Sequence, residues 1–301
     1  MVRTNKLVIA LAIVATACTN TSVDATTTST STTPPTPLTT LTPQSTISTS
    51  TTLPPTTTST LALPTNDCEV GQRTAVEEYT QGCDVLGIEI LAGEEVDPAA
   101  VDQMADRIFN MLVARPDLLR ALTDAGVSSR VIGKDQRLPS LPEFEDVYDL
   151  YPGIDWNRAT RSFPGTDLIP FVAGAEENLL CLDGDRFEGE DPFLRDMALA
   201  IRRFGMFSVD PITTGSIERA YSTSIAQGLW VNTIAEINSD EYWAEGVQSY
   251  FDMNLEEPED RPPNSAHNHV DTREELKVYD LSLYEIARSV FGDTPWRPSC
   301  P

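Results

Sequence analysis

Histidine and basic residues are scarce in this chain. Its 301 residues include 2 His, and 21 Lys and Arg stand against 46 Asp and Glu, which gives a formal net charge of -25. A charge this negative argues against binding to nucleic acid and against adsorption to anionic lipid surfaces. The simplest interpretation of the acidic excess is solubility. We also find no internal repeat.

The sequence near the N-terminus has no apolar run of membrane-spanning length. The run from Leu7 to Ala15 is too short to cross about 30 Å of hydrocarbon as a helix. Arg3 and Lys6 precede this run, and the run ends in the small residues of Ala15-Thr16-Ala17, which are followed by Cys18. A positive start, a short apolar core and small residues together predict a signal peptide over residues 1–17.

Cys18 directly follows the small residues of that signal. This arrangement resembles a bacterial lipobox, in which a peptidase cuts before the cysteine and the thiol carries a lipid. The same small residues also suit ordinary signal cleavage, which would release a secreted protein. We therefore expect a location outside the cytoplasm, either anchored to the cell membrane by lipid on Cys18 or secreted.

Residues 18–66 are dominated by Thr, Ser and Pro. A segment with so little to bury stays extended or disordered, and we expect it to act as a stalk. Residues 67–301 are left to form one globular domain. At about 235 residues, this part is long enough to bury a substantial core.

Four cysteines remain after Cys18, namely Cys68, Cys83, Cys181 and Cys300. An even number in an exported chain indicates two disulfides, for which three connectivities exist. We favour Cys68–Cys83, which are close in sequence, and Cys181–Cys300, which would fasten the C-terminus to the core. Free buried thiols are the alternative.

Local patterns indicate a mixed domain with more helix towards the C-terminus. Residues 85–91 and Val131-Ile132 predict strands, and residues 138–175, rich in Pro, Gly and Asp, are expected to wrap the surface. A capping box from Thr272 to Glu275 opens one short helix. Further helices are predicted over residues 97–112, 117–125, 193–204, 216–228, 239–252 and 283–291.

One segment is more specific than these patterns, and it runs Asp240-Glu241-Tyr242-Trp243-Ala244-Glu245. It resembles the second metal-site helix of zincin metallopeptidases of the glutamate-ligand branch, which is related to anthrax lethal factor. The resemblance extends to uncharacterised exported bacterial and fungal members and covers about residues 84–300. Shared stretches are Arg115-Pro116-Asp117-Leu118-Leu119, Leu141-Pro142-Glu143-Phe144, Glu176-Glu177-Asn178-Leu179-Leu180-Cys181 and His267 to Lys277.

The resemblance implies an α+β fold, that of a zincin-like catalytic domain, with a mostly helical C-terminal half and a small N-terminal sheet. The helix that carries the old active site is then expected near the centre of the domain. The resemblance also implies that Glu241 stands where the family has its third zinc ligand.

The upstream HExxH helix that the family requires falls on Arg195-Asp196-Met197-Ala198-Leu199. Arg195 and Leu199 stand where the two zinc-binding His are expected, and Asp196 replaces the general-base Glu, while Ile234 stands where the family has an oxyanion-stabilising Tyr. A guanidinium has no lone pair for a metal, and leucine has no donor atom. One carboxylate does not hold zinc, so we expect neither a metal nor any other cofactor.

The leading hypothesis is an inactive metallopeptidase relative that serves as a binding module for a peptide, a polymer or a protein. Its expected binding residues are Arg195, Glu241 and Glu245, with Arg195 taking the place of zinc as the cation that faces Glu241. A groove lined by Trp230, Tyr242 and Trp243 would favour binding, although such residues are more often core. A structural envelope protein without a working cleft is one alternative.

The other alternative is a hydrolase with a rebuilt site made from Asp196, Glu241, Glu245 and either His267 or His269. A metal site on these two His, or a Ca²⁺ site on the acidic run of residues 183–191, is weaker than a hydrogen-bonding or solvated role. Glu241 also has a simpler interpretation. It lies three residues after Asn238, where it would complete a capping box at the start of its helix.

Overall fold

The structure is a computed structural model, and it describes residues 65–76, 78–144, 161–258, 262–264 and 266–299. The predicted signal peptide, nearly all of the predicted stalk, and Cys18 and Cys300 lie outside these ranges. Within them, no helix is both long enough and apolar enough to cross a membrane.

A mixed sheet of six strands is formed by the described residues. The strands are β1 (Gly71–Val76), β2 (Tyr79–Val85), β3 (Ile88–Ala92), β4 (Ser128–Ile132), β5 (Ser162–Phe163) and β6 (Phe171–Ala175). Their order across the sheet is β1-β2-β3-β4-β6-β5. Strands β3, β4 and β6 run parallel, and the remaining neighbours pair antiparallel.

The strand predicted over residues 85–91 is wrong in its extent, because a turn interrupts it. Leu86 and Gly87 have φ angles of 52° and 84°. They join β2 to β3 as a two-residue hairpin, in which Val85 pairs with Ile88. Turns of this kind need positive φ at both central residues, which glycine supplies without strain.

The prediction that residues 138–175 wrap the surface is also wrong for the last residues of this segment. Strand β6 lies between β4 and β5, and all five of its residues are buried. A strand covered on both faces is continuously apolar and has no alternating pattern to reveal it. Residues 145–160 of the same segment lie outside the described residues.

Helices pack against the sheet, as expected for a mixed α+β domain, and two of them come between β3 and β4 along the chain. They are α1 (Pro98–Leu112), α2 (Pro116–Asp124), α3 (Glu176–Leu179), α4 (Pro192–Ala200), α5 (Pro211–Ala226), α6 (Ser239–Tyr250), α7 (Arg273–Tyr279) and α8 (Leu281–Phe291). Helix α4 continues through a π-helical segment, Ile201–Met206, and a last turn, Phe207–Val209. Short 3-10 turns occur at Leu138–Ser140, Pro142–Phe144 and Ile234–Glu236.

Helix α4 lies deep in the domain because glycine lets it approach the sheet. A Cβ atom on Gly174 of β6 would lie 2.8 Å from Cβ of Phe193 on α4. The N-terminus of α4 is fixed by Asp191, which accepts from the Leu194 amide at 2.9 Å and from Arg107 Nε of α1 at 2.5 Å. Both members of this ion pair are buried. Helix α4 is therefore held from the sheet side and from α1.

The described residues include disulfide-bonded cysteines. Cys68 and Cys83 are joined, with their Cα atoms 5.3 Å apart. Cys181 is disulfide-bonded as well. The predicted partner, Cys300, is one of the residues that the structure does not describe.

Candidate functional site

Helices α4 and α6 pack side by side and carry the residues that the sequence singles out. Helix α6 begins after Asn238, whose Oδ1 accepts from the backbone amides of Asp240 and Glu241 at 2.9 Å each. Further along the interface, Trp243 Nε1 donates to the carbonyl of Ala198 at 3.0 Å. This bond between buried groups fixes the spacing of the two helices, and with it the positions of Arg195 and Glu241.

The guanidinium of Arg195 joins the two helices. Its Nη2 forms an ion pair with Oε2 of Glu241, and its Nη1 donates to Oδ1 of Asp196 at 2.8 Å. The side chains of Arg195 and Glu241 are 21% and 23% exposed, so the pair lies at the rim of the interior. The carboxylate of Glu241 is thus engaged with Arg195, and Asn238 alone caps α6 through its side chain.

Asp196 lies beneath this pair and is nearly fully buried. Burial raises the pKa of its carboxyl, against the opposing effect of the Arg195 charge and a hydrogen bond with Ser162. Burial works to lower the pKa of Arg195, but the charges of Asp196 and Glu241 outweigh it, so that this pKa is raised. Arg195 therefore remains a fixed cation between two carboxyl groups.

Leu199 and Ile234 are the two apolar residues that the family resemblance places at site positions, and both are half-buried. Leu199 is one helical turn beyond Arg195 on α4, on the same face, and is half-buried. Ile234 lies on the 3-10 turn before α6, also half-buried, and its amide donates to the carbonyl of Ala266 at 2.9 Å. Neither side chain offers an atom that could bind a metal or donate to an oxyanion.

Glu245 lies one turn beyond Glu241 on α6 and takes part in a second charged group. Its Oε1 lies 2.9 Å from Nδ1 of His267 and accepts from Nδ2 of Asn254 at 3.0 Å. On the other side of the imidazole, Nε2 of His267 lies 3.3 Å from Oε2 of Glu190. The His267 ring is thus held between two carboxylates from different parts of the chain.

This environment keeps His267 protonated. Burial alone works to lower the pKa of the imidazole, but the hydrogen bonds to Glu190 and Glu245 outweigh it and raise the pKa to about 10. His269 is elsewhere, with its ring centroid 5.3 Å from that of Tyr279. The structure therefore separates the two His of the chain.

The aromatic residues of this region do not line a groove. Trp230, Tyr242 and Trp243 are all fully buried. Trp230 and Tyr242 both donate to Oδ2 of Asp280, at 3.0 and 2.8 Å, while Trp243 stacks on Phe291. Their hydrogen bonds and ring contacts make all three part of the core, so they do not line the groove that would have favoured a binding function.

The acidic run of residues 183–191 divides among separate partners. Asp191 pairs with Arg107, Glu190 faces His267, and Asp185 accepts from Asn178 at 2.8 Å. In the part of the chain that the structure describes, no group of three or more His, Cys, Asp or Glu side chains is arranged to hold a metal ion.

The residues at the expected zinc position do not fit a zinc site. Zinc needs three or four N, S or O ligands at about 2.0–2.3 Å. Arg195 and Leu199 provide none, and the carboxylate of Glu241 already bonds to the guanidinium. This misfit follows from the chemistry of the side chains that face one another.

Several contributors to the site are not evident from the sequence. Ser162 reaches Asp196 from strand β5, and Glu190 and Asn254 reach the Glu245 region from two loops. Single polar residues far apart along the chain leave no periodic signal. In the sequence, only the four-residue spacing of Glu241 and Glu245 indicates that two of these residues lie on the same face of a helix.

Comparisons with known proteins give one distant similarity. No protein-family model matches the chain, and no curated protein matches it. A solved structure, the Pro-Pro endopeptidase PPEP-2 from Paenibacillus alvei, is similar over 67% of this chain and 96% of its own, with 13% sequence identity and a TM-score of 0.44. The mixed α+β architecture of the described residues is shown by their own strands and helices.

Proposed function

We propose that this chain is an exported binding module with a zincin-like fold whose zinc site has been replaced by an arginine. The observation that carries the proposal is the ion pair between Arg195 on α4 and Glu241 on α6. In the family that the sequence resembles, a metal joins these two helices. Here a side chain that cannot lose its charge joins them instead.

The pairing also accounts for a site that holds together without a metal. Removing one partner from a fully buried ion pair costs about 3–5 kcal/mol, because it leaves the other charge uncompensated. Arg195 and Glu241 are each about one-fifth exposed, so water screens part of that cost. Asp196, which is buried beside Arg195, adds to the need for a cation at this position.

A triple variant tests this interpretation of the helix. Arg195→His and Leu199→His restore two imidazoles one turn apart, and Asp196→Glu restores the longer carboxyl group. With Glu241 as third ligand, the folded variant should bind zinc at about one ion per chain in an equilibrium titration. Restoring the same three residues together with Glu241→Gln is the matched control, and it should bind far less zinc.

A folded triple variant that gains no zinc affinity would contradict the proposed alignment of α4 with a metal-site helix. Peptide hydrolysis by the natural chain would count against the binding-module proposal in a separate way. Hydrolysis is therefore to be measured on the natural chain with a mixed peptide pool, and no cleavage is expected.

Membrane attachment is a separate part of the proposal, supported by the sequence around Cys18. We propose that export removes residues 1–17, that Cys18 carries a lipid, and that the Thr/Ser/Pro segment holds the domain away from the membrane. Cys18→Ser should move the protein from the membrane fraction to the medium. Intact-mass analysis of the membrane-bound form should show the added lipid, and an unmodified Cys18 there would refute the anchor.

A further inference from the structure

Three apolar side chains are exposed where the helical turn Phe207–Val209 meets α5. They belong to Phe207, Val209 and Ile212, and Ile212 is 79% exposed. Exposed apolar residues that stand singly are ordinary, whereas a group of them beside charged residues is typical of an interaction surface. This corner of the domain is therefore a candidate for contact with another molecule.

The π-helical segment Ile201–Met206 sets the direction of the first of these side chains. Hydrogen bonds in a π-helix join residues five apart, so Arg202 and Phe207 lie on one face, whereas turns of 3.6 residues would separate them. The guanidinium carbon of Arg202 accordingly lies 5.5 Å from the ring centre of Phe207. Such π-helical turns are rare and are frequent at functional sites. The exposed ring is thus held over a buried cation.

Arg202 also brings two carboxylates together. Its Nη2 forms an ion pair with Oε1 of Glu218 on α5, and its Nη1 lies 2.9 Å from Oδ1 of Asp240 on α6. The hydroxyl of Ser239 donates to the same oxygen of Glu218 at 2.8 Å. The side chain of Arg202 is buried, but those of Glu218 and Asp240 are 52% and 53% exposed. One guanidinium thus holds two carboxylates side by side at the surface.

This pair of carboxylates keeps a net negative charge at an exposed position. Arg202 compensates one of the two charges, and Oε2 of Glu218 and Oδ2 of Asp240 accept no hydrogen bond from the described residues. Because about half of each side chain is exposed, a group in solution can reach them, and the net charge of -25 favours the approach of a cation. Ile237, which is 66% exposed, lies two residues before Ser239 and adds apolar surface close to the carboxylates.

The chemistry of this surface favours a protein partner with a basic side chain. A nucleic acid or an anionic lipid surface would meet a like charge. A divalent metal needs more ligands than two carboxylates supply, and no group of three or more His, Cys, Asp or Glu is arranged for one among the described residues. A lysine or arginine with apolar neighbours matches both the charge and the exposed apolar side chains. We call the following residues the Phe207 face: Phe207, Val209, Ile212, Glu218, Ile237 and Asp240.

We propose that the Phe207 face binds a protein segment in which a lysine or arginine is flanked by apolar side chains. The basic group pairs with Glu218 and Asp240, and the apolar groups cover Phe207 and Ile212. This proposal rests on the proposed binding function and names its partner class. It uses none of the residues at the expected zinc position.

Peptide titrations of the full chain, followed by NMR of its backbone amides, test the proposal. Cys18→Ser is introduced so that a lipid at this residue does not interfere. The probes are acetyl-Gly-Leu-Arg-Leu-Gly-amide and the same peptide with lysine in place of arginine. One control peptide has glutamine at that position, and the other keeps arginine but has serine in place of both leucines. At least one probe should bind and shift the amides of Phe207, Ile212 and Asp240, and each control should bind about threefold more weakly or less.

Two variants of the face locate the interaction. Glu218→Gln removes one carboxylate charge and Ile212→Ser removes an exposed apolar side chain, and each should weaken binding of the probe by about threefold or more. The matched controls are Glu285→Gln on α8 and Val278→Ser on α7, at exposed residues outside the face, and they should leave the affinity within about 1.5-fold. Thermal melts followed by circular dichroism report whether each variant folds.

Several outcomes would overturn the inference. Equal binding of the glutamine peptide would remove the basic group from the interaction, and equal binding of the serine peptide would remove the apolar contacts. If Glu218→Gln does not fold, Ile212→Ser and the amide shifts decide, and shifts confined to residues outside the Phe207 face refute the site. Sedimentation with phosphatidylcholine vesicles that Ile212→Ser abolishes would assign the face to a lipid surface and also refute it. A zinc-free chain that binds no probe would refute this inference alone, whereas a chain that holds zinc would refute the proposed function.

Discussion

The contact between Asp271 and Glu275 at the start of α7 makes stability depend on pH. Glu275 Oε2 accepts from the backbone amides of Asp271 and Thr272 at 3.2 Å each, and from the Thr272 hydroxyl at 2.8 Å. Burial raises the pKa of Asp271 from its ordinary value of 3.8 to about 7, with further contributions from its hydrogen bond to Glu275 and from the charges of Glu275 and Glu256. The two carboxyl groups therefore share one proton at mildly acidic pH.

The sign of the effect follows from which state holds the proton more tightly. Because the pKa of Asp271 is higher in the folded chain, its contribution to stability is full below about pH 4 and is lost as the pH rises through about 7. At about 1.4 kcal/mol per pKa unit, the full difference corresponds to about 4 kcal/mol. Asp271 is half-buried and water screens it, so we expect about 1–3 kcal/mol.

Asp271→Asn removes this titration while keeping the size of the side chain. The free energy of unfolding, from urea titrations at about pH 5 and pH 8, should fall with rising pH by about 1–2 kcal/mol more in the natural chain than in the variant. His267, whose raised pKa also makes stability fall with pH, is present in both proteins and cancels in this comparison. Asp124→Asn, at an exposed acidic residue on α2, is the control. The same pH dependence in the natural chain and in Asp271→Asn would refute the reasoning.

Three further substitutions test the packing and the charges of the site. Arg195→Met should lower the free energy of unfolding by about 1–3 kcal/mol, and a double-mutant cycle with Glu241→Gln should show coupling, whereas additive effects would contradict a direct pair. His267→Gln should destabilise the chain by about 2–4 kcal/mol at neutral pH, and by less near pH 10, where the natural chain has partly lost its imidazolium. An effect that does not change with pH would show that the charge of His267 does not contribute to stability. Gly246→Ala should cost about 1–3 kcal/mol in urea unfolding, because the new methyl group meets Leu283, and an unchanged midpoint would contradict that contact.

Helix starts could be predicted from the sequence because their signals are local. Asp97 caps α1 and Pro98 occupies its first turn, as the Asp-Pro pair indicates. Thr272 and Glu275 form the predicted capping box of α7. For α5 the sequence predicts a start at residue 216, whereas the helix begins five residues earlier, at Pro211. The Thr and Gly residues of its first turns are weak helix formers, and they mask the cap that Asp210 provides.

Strands were harder to predict because their stability comes from distant neighbours. Strand β6 pairs with β4 across about 40 residues of sequence and is buried on both faces, so its five residues have no alternating pattern. The β2–β3 hairpin was missed because Leu86 does not belong to the residue types that usually mark such turns. In both places, tertiary pairing decides what local preference leaves open.

The contacts of the candidate site also differ in how far the sequence predicts them. The resemblance to the zincin family predicts that Arg195 and Glu241 face each other, because the two metal-site helices of that family bring these positions together, and the two side chains do form an ion pair. The link from Glu190 through His267 to Glu245 was not expected, because it joins two loops to α6. Loop side chains have no sequence period, and their contacts emerge only from the folded chain.

Zinc content of the natural chain is the most direct test of the account. The full-length protein is to be purified without chelators, incubated with excess zinc, dialysed and analysed by mass spectrometry for metal per chain. An arginine fixed against Glu241 predicts fewer than about 0.1 zinc ions per chain. A content near one ion per chain that is lost in Glu241→Gln would contradict the account, because it would place a metal where the guanidinium should lie.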